Sequence, residues 1–329
     1  MKNVLVLWPL DEGNREKLWQ EAGADFRIHF WEKSEGRDAY IQAMKEAHII
    51  LGDPMAQDLC YCENLEWVQL TWSGVDSFLD NGTVPPGVKM SNMTGFYGPV
   101  ISEHLLGLIL ALCRRLPEYY AQQKEQSWNL LLHDKTLEGS RVLILGAGDI
   151  GTQLAKRLRP MVGSIVGMRR VPRDFPDCYD EMITAGQMED YLPQADVVVC
   201  CLPKTRETNH LIGEKQLRLM KQDAILVNVG RGNLIDLDEL CAVLDEGRLW
   251  GVGLDVTQPE PLPKGHPLWD KPRTIITPHV SGNSFGPDSP TMARMSGFMV
   301  ENFSNYIHGR QVLNLVDFTT GYRGAEHQK

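Results

Sequence analysis

The chain has 329 residues, 43% of them hydrophobic, which suits two globular domains with cores of their own better than a disordered polymer. Its net charge of −10 offers no broad basic face to follow a nucleic-acid backbone or an anionic membrane, so neither is expected as a partner. The seven cysteines, Cys60, Cys62, Cys113, Cys178, Cys200, Cys201 and Cys241, show neither disulfide nor zinc spacing, which predicts reduced thiols, a cytoplasmic protein and no metal site.

The first segment, KNVLVLWP, reads as a β-strand, because its apolar run is too short for a secretory core and no small-residue cleavage site follows. FRIHFWE, AHIILGDP, LEWVQLTWSG and VKMSNMTG continue as candidate strands, with helical stretches such as DAYIQAMKEA between them. ISEHLLGLILALCRR is predicted as a buried helix and not a membrane span, since it carries Glu103 and His104 and stops at Arg114. From Ser140 onward, RVLILGAG, SIVGMRR, ADVVVCCLP, AILVNVG, WGVGLDV and RTIITPHV alternate with amphipathic stretches such as TQLAKRLRPM. Strands buried on both faces read as continuous Val/Ile/Leu runs, so this rhythm predicts a doubly wound parallel sheet. After SGNSFGPDSP, the helical pattern MARMSGFMVENFSNYIHG and the apolar piece VLNLVD are expected to fold back onto the first domain. The predicted class is α/β: two Rossmann-like or flavodoxin-like domains with parallel sheets and an active-site cleft between them. Residues 1–99 plus 281–329 form one domain and residues 100–280 the other.

GAGDIG, residues 146 to 151, has the G-x-G-x-x-G spacing, follows the strand RVLIL and opens the helix TQLAKRL. That arrangement sets a helix amino terminus and its free N–H groups against a pyrophosphate, making 100–280 a dinucleotide-binding Rossmann domain. Gly146 permits the tight turn, Gly148 lets phosphates come close, and Gly151 lets the helix pack on the strand. The second strand ends in GMRR, where an NAD-binding chain carries an Asp or Glu for the ribose 2′-hydroxyl. Arg169 and Arg170 stand there instead, and arginines make charge-assisted bonds to a 2′-phosphate that a carboxylate would repel. NADP(H) is expected as the preferred coenzyme and NAD(H) as the lesser one; two merely solvated arginines would leave the choice loose.

VNVGRG, GLDVTQPEP and TPHVSG lie at the carboxyl ends of later strands, the edge where open α/β sheets hold ligands, and offer Arg231, Glu260 and His279. The glycines flanking Arg231 are expected to let backbone and an anionic ligand approach closely around a guanidinium fork. With WSGVD at 72 to 76, GAGDIG, CCLPKTRETNHLI, VNVGRGNLIDLDEL, GVGLDVTQPEPLPKGHPLW and ITPHVSG in this order, the chain resembles the D-isomer-specific 2-hydroxyacid dehydrogenases over nearly its whole length. The resemblance implies an NAD(P)-dependent oxidoreductase that interconverts small 2-oxo acids and D-2-hydroxy acids, closest to the NADP-dependent glyoxylate and hydroxypyruvate reductases. It also makes 1–99 plus 281–329 the substrate-binding domain.

Arg231, Glu260 and His279 fall on the family's catalytic positions. Hydride addition to a 2-oxo acid builds negative charge on oxygen, and histidine, which titrates near neutrality, suits the proton donor. Glu260 is expected to orient the imidazole and stabilise its charged form, and Arg231 to hold the substrate carboxylate and polarise the carbonyl. Asp149 and Ile150 in the glycine loop, Cys201, Pro203, Thr208, Val229 and Asp255 match the coenzyme side. Ser73 and Gly74 match the loop whose N–H groups meet the substrate carboxylate, with Trp72 beside it. Trp128 matches an arm that reaches the other subunit's pocket in dimeric members, so a homodimer is expected. Trp72, Tyr97, Trp128 and Phe285 are expected to set pocket size, while His104, His210 and His266 read as packing or surface residues.

Asp149 departs from the family's usual Arg or neutral residue and is expected to turn to solvent. Ser73 stands where phosphite dehydrogenases carry Lys, and Glu260 where formate dehydrogenases carry Gln, which disfavours both chemistries. Two other readings stay in view. One is a dinucleotide-sensing co-repressor that binds proteins through its first domain; the other is a phosphoglycerate dehydrogenase-like enzyme, disfavoured because the additional regulatory domain many of them carry is lacking.

Overall fold

The computed structural model describes residues 1–79, 82–171, 174–283, 286, 289–318 and 322–323. Along the chain come β1 (Lys2–Val6), α1 (Glu12–Ala22), β2 (Phe26–Phe30), α2 (Gly36–Glu46), β3 (Ile49–Leu51), β4 (Trp67–Gln69), α3 (Asp76–Leu79) and β5 (Lys89–Ser91). Helices α4 (Gly98–Cys113) and α5 (Leu116–Lys124) lead to β6 (Arg141–Leu145), α6 (Asp149–Leu158), β7 (Ser164–Met168), β8 (Glu181–Ile183), α7 (Met188–Tyr191) and β9 (Val197–Cys200). Then follow α8 (Glu214–Leu219), β10 (Ile225–Asn228), α9 (Leu237–Asp245), β11 (Gly251–Leu254), β12 (Thr274–Ile276), α10 (Pro290–Ile307), β13 (Val316–Asp317) and β14 (Tyr322–Arg323). The chain divides into two compact units, Met1–Phe96 with Ser284–Lys329, and Tyr97–Asn283. The division falls a few residues from the expected 99/100 and 280/281, because the first turn of α4 and the 281–283 segment bond within the second unit.

In the first unit the strands run parallel in the order β2-β1-β3-β4-β5, the flavodoxin-like arrangement. Its core gathers Leu5, Ile50, Val68 and Met90 from the sheet with Met44 and Tyr40 from α2. The returning tail is tied to this sheet by polar bonds sheltered from water. Asn302 on α10 donates to Gln69 Oε1 at 2.6 Å and Asn92 N donates to Asn314 O at 3.1 Å, while within the sheet Trp67 Nε1 donates to Ser91 Oγ at 2.7 Å. Such buried groups are retained only when paired, so the network fixes α10 to this sheet.

The second unit holds a seven-stranded parallel sheet in the order β12-β11-β10-β9-β6-β7-β8. Its central strands are apolar on both faces: all four residues of β9, β10 and β11 are buried. Each such Leu or Ile contributes about 1.5–3 kcal/mol of burial. Helix α4 lies across glycines of β11, where a Cβ on Gly253 would stand 3.4 Å from Leu108 Cβ and one on Gly251 2.9 Å from Leu112 Cδ2. Strand order reverses between β6 and β9, the switch point outside which such sheets hold ligands. Strand β8 was not anticipated, because its three residues form no apolar run and two of them, Glu181 and Met182, are only half-buried. No described helix is long and apolar enough to cross a membrane, and no described group of His, Cys, Asp or Glu could hold a metal.

Candidate active site

The three adjacent strands β10, β11 and β12 deliver Arg231, Glu260 and His279 from their carboxyl ends. Asn228, fully buried as the last residue of β10, donates to Arg231 O at 3.0 Å and accepts from Gly230 N at 2.9 Å, which clamps the turn. A Cβ on Gly230 would stand 2.3 Å from Leu202 O, and one on Gly232 1.9 Å from Thr257 O. The flanking glycines are therefore needed so that this loop can wedge between the main chains after β9 and β11. Arg231 itself is half-buried with an extended backbone, and its Nη1 donates to Gly230 O at 2.8 Å.

Glu260 Oε1 accepts from Thr257 N at 3.0 Å, and Oε2 lies 3.0 Å from His279 Nδ1. The carboxylate can only accept, so Nδ1 carries the hydrogen and Nε2 is left to exchange a proton with a ligand. His279 has φ of 53°, a left-handed conformation costly for a residue with a Cβ. Asp255 holds it there. His279 N donates to Asp255 O at 2.8 Å, Val280 N to Oδ1 at 2.9 Å, Ser281 N to Oδ2 at 2.9 Å and Thr277 Oγ1 to Oδ1 at 2.5 Å. Burial pushes the Asp255 carboxyl up, but the bonds from Ser281, Thr277 and Val280 together outweigh it and leave the group below the usual carboxylate range.

At the switch point, Gly146 has φ of 108° and would drive a Cβ to 2.8 Å from Cys201 O, so it must be glycine on two counts. Gly151 would meet Gly146 O at 2.3 Å, whereas no described atom lies within 4 Å of a Cβ on Gly148, the exposed cap of α6. Turn, packing and open approach are thus separate tasks of three glycines. Asp149 does not turn to solvent as expected: its Oδ2 accepts from Gly98 N at 3.0 Å, in the first turn of α4. A Cβ on Gly98 would stand 2.5 Å from that oxygen. Ile150 is half-buried beside it.

Arg169 Nε donates to Ala147 O at 2.6 Å, which holds the guanidinium at the glycine loop, while Arg170 is exposed. The Glu207 carboxyl is lowered, first by its own amide, then by Thr205, with Arg206 and Arg170 adding to it. Thr208 is buried, with its hydroxyl donating to Pro203 O at 2.7 Å and accepting from Thr205 N at 2.8 Å, so it braces the loop after β9. Cys201 N donates to Leu145 O, and Val229 N to Cys200 O at 3.1 Å.

In the first unit, Trp72 is 47% exposed, Ser73 Oγ donates to Met93 O at 3.0 Å and Asn92 Nδ2 donates to Ser73 O at 2.8 Å; Gly74 is half-buried. The loop start is held by Asp53, whose Oδ1 accepts from Thr71 N at 2.8 Å and whose carboxyl is raised by burial. Tyr97 belongs to the second unit, buried with Cδ1 at 3.2 Å from where Gly282 would place a Cβ. Trp128 follows α5 and is fully exposed, as are most of Leu130 and Leu132. Phe285 lies outside the described residues.

Residues 106–281 match the family described as D-isomer specific 2-hydroxyacid dehydrogenase, NAD binding domain. The chain belongs to that family. This dehydrogenase is 32% identical over 243 residues to a glyoxylate reductase of Aeropyrum pernix, covering 70% of each chain. A solved family member from Aeromonas salmonicida is 33% identical, with a TM-score of 0.84 over 96% of this chain and 99% of that one. Another, from Xanthobacter autotrophicus and solved with NADPH and MES, is 26% identical, with a TM-score of 0.78 over 98% and 99%.

The dehydrogenase is accordingly an NAD(P)-dependent oxidoreductase, and its own residues suit a dinucleotide: the open approach above Gly148 meets the amino terminus of α6 at the sheet's switch point. Two bonded residues of this region were not singled out from sequence, because Asn228 and Thr277 carry no motif that marks them. His104, expected as a packing or surface residue, is part-buried on α4 with Nε2 3.1 Å from Thr277 Oγ1.

Proposed function

We propose that this dehydrogenase is an NADPH-dependent reductase of small 2-oxo acids, with glyoxylate and hydroxypyruvate as the leading substrates. The observation that carries the reading is the 3.0 Å pair of His279 and Glu260, on a backbone locked by a buried aspartate. The Aeropyrum pernix relative, named a glyoxylate reductase, and the NADPH held by the Xanthobacter autotrophicus neighbour support the substrate and coenzyme class.

The nicotinamide coenzyme, when bound, supplies or accepts the hydride. Gly146, Gly148 and Gly151, with Asp149, Ile150, Cys201, Pro203, Thr208, Val229 and Asp255, form the coenzyme side, and Arg169 and Arg170 select the 2′-phosphate. His279 Nε2 gives its proton to the developing alkoxide, and in the reverse direction takes it back. Glu260 stabilises the imidazolium and fixes its orientation. Arg231 pairs with the substrate carboxylate and polarises the carbonyl, and Trp72, Ser73, Gly74 and Trp128 complete the substrate contacts. The seven free cysteines support a reducing, cytoplasmic setting, and the exposed Trp128 arm supports a homodimer.

A panel of 2-oxo acids assayed with NADPH and with NADH tests the reading. Turnover of the two-carbon and three-carbon acids, faster with NADPH, is expected. No turnover on any acid, with tight nucleotide binding retained, would overturn it in favour of a nucleotide sensor.

A further inference from the structure

His104 projects from α4, and none of the catalytic positions uses it. Its Nε2 lies 3.1 Å from Thr277 Oγ1 and 3.8 Å from Asp255 Oδ1, and Thr277 Oγ1 lies 2.5 Å from that same Oδ1. The threonine hydroxyl has one hydrogen, and the Asp255 carboxylate, which also gathers the amides of Val280 and Ser281, can only accept. Thr277 therefore gives its hydrogen to Asp255 and accepts from His104, so that His104 carries hydrogen on Nε2. A directed chain of bonds results, from His104 to Thr277 to Asp255, and the same carboxylate accepts from the two amides that follow His279.

Helix α4 is a rigid place from which to start that relay. Its first turn is bonded to the glycine loop through Gly98 N and Asp149 Oδ2 at 3.0 Å, and Leu108 and Leu112 press on the glycines of β11. The same helix thus touches the loop at the switch point and the loop that carries the catalytic imidazole.

We infer that His104 is a positioning residue for His279. Its donated hydrogen orients the Thr277 hydroxyl on Asp255, and Asp255 in turn holds the left-handed backbone that sets the His279 ring on Glu260. The inference rests on the reductase reading for its kinetic consequence only, because the bonding relay exists whatever the reaction.

The test compares wild type, His104→Gln and His104→Leu as full chains, by hydrogen exchange of the 277–283 segment and by steady-state kinetics on glyoxylate. His104→Leu is expected to speed exchange of the Val280 and Ser281 amides about 10-fold, the loss of one hydrogen bond, with residues 105–113 unchanged. It should lower kcat by about 10-fold without raising KM for NADPH. Glutamine keeps an amide N–H donor and should restore both. Thr277→Val cuts the relay from its other side and should reproduce the leucine variant. Unchanged exchange at residues 280 and 281 in His104→Leu and Thr277→Val, or a glutamine variant as impaired as leucine, would overturn the inference. A wild-type chain without turnover would overturn the reductase reading instead, and the exchange measurement alone would then decide on His104.

Discussion

His279 Nδ1 and Glu260 Oε2 stand 3.0 Å apart, and the second carboxylate oxygen is held by the Thr257 amide at the same distance. Both side chains are partly exposed, so the pair adds little to stability, and its proposed part is to orient the ring. Glu260→Gln keeps a hydrogen-bonding group and removes the charge; kcat is expected to fall on the order of 10-fold with melting temperature unchanged. His279→Ala removes the proposed proton donor and should cost about 10²–10⁴-fold in kcat. An alanine variant with wild-type kcat would assign the proton to another group.

Arg169 is tethered by Nε to the carbonyl of Ala147, inside the glycine loop. Arg169→Asp replaces a cation with an anion where the 2′-phosphate is proposed to sit. NADPH should lose about 10–100-fold in kcat/KM, the loss of a charge-assisted bond, while NADH is affected less. Equal losses with both coenzymes would show that the arginine serves only the loop.

The glycines make opposite predictions. Gly148→Ala places its methyl in open space, so thermal stability should hold while dinucleotide affinity falls. Gly232→Ala forces a Cβ to 1.9 Å from Thr257 O, and overpacking of that kind costs about 1–3 kcal/mol. Its denaturation midpoint should drop before any kinetic effect is considered. Paired unfolding curves and nucleotide titrations check both.

Asp255 sets the acid limit of the histidine loop. A carboxyl that is lower in the folded chain than in the unfolded one contributes stability that is fully present above the unfolded value, about 4, and is lost as pH falls through the folded value. The melting-temperature gap between wild type and Asp255→Asn should therefore stay constant from about pH 8 to about pH 5 and shrink only below about pH 4. A gap already closing near neutral pH would contradict the bonding described for this carboxylate.

Trp128, Leu130 and Leu132 present apolar side chains to solvent along one arm. The proposed dimer would bury an exposed apolar arm of this kind. Sedimentation of the wild type is expected to show a dimer, and Trp128→Ala with Leu130→Ser should shift it toward monomer. A monomeric wild type at micromolar concentration would remove the proposed arm exchange.

The parts of this protein that could be read before folding depend on residues close together in the chain. RVLIL and VVVC announce buried parallel strands because every residue is apolar, and GAGDIG assigns a turn, an approach and a packing contact to three glycines through spacing alone. Folding settled what depends on partners far along the chain. Asp149 meets an amide 51 residues earlier, and Gly230 and Gly232 are crowded by loops from two neighbouring strands. His104 reaches a threonine 173 residues away. Backbone preference and apolar periodicity act over a few residues and leave a local trace, whereas a hydrogen bond across strands exists only once the order β12-β11-β10-β9 has set their loops side by side.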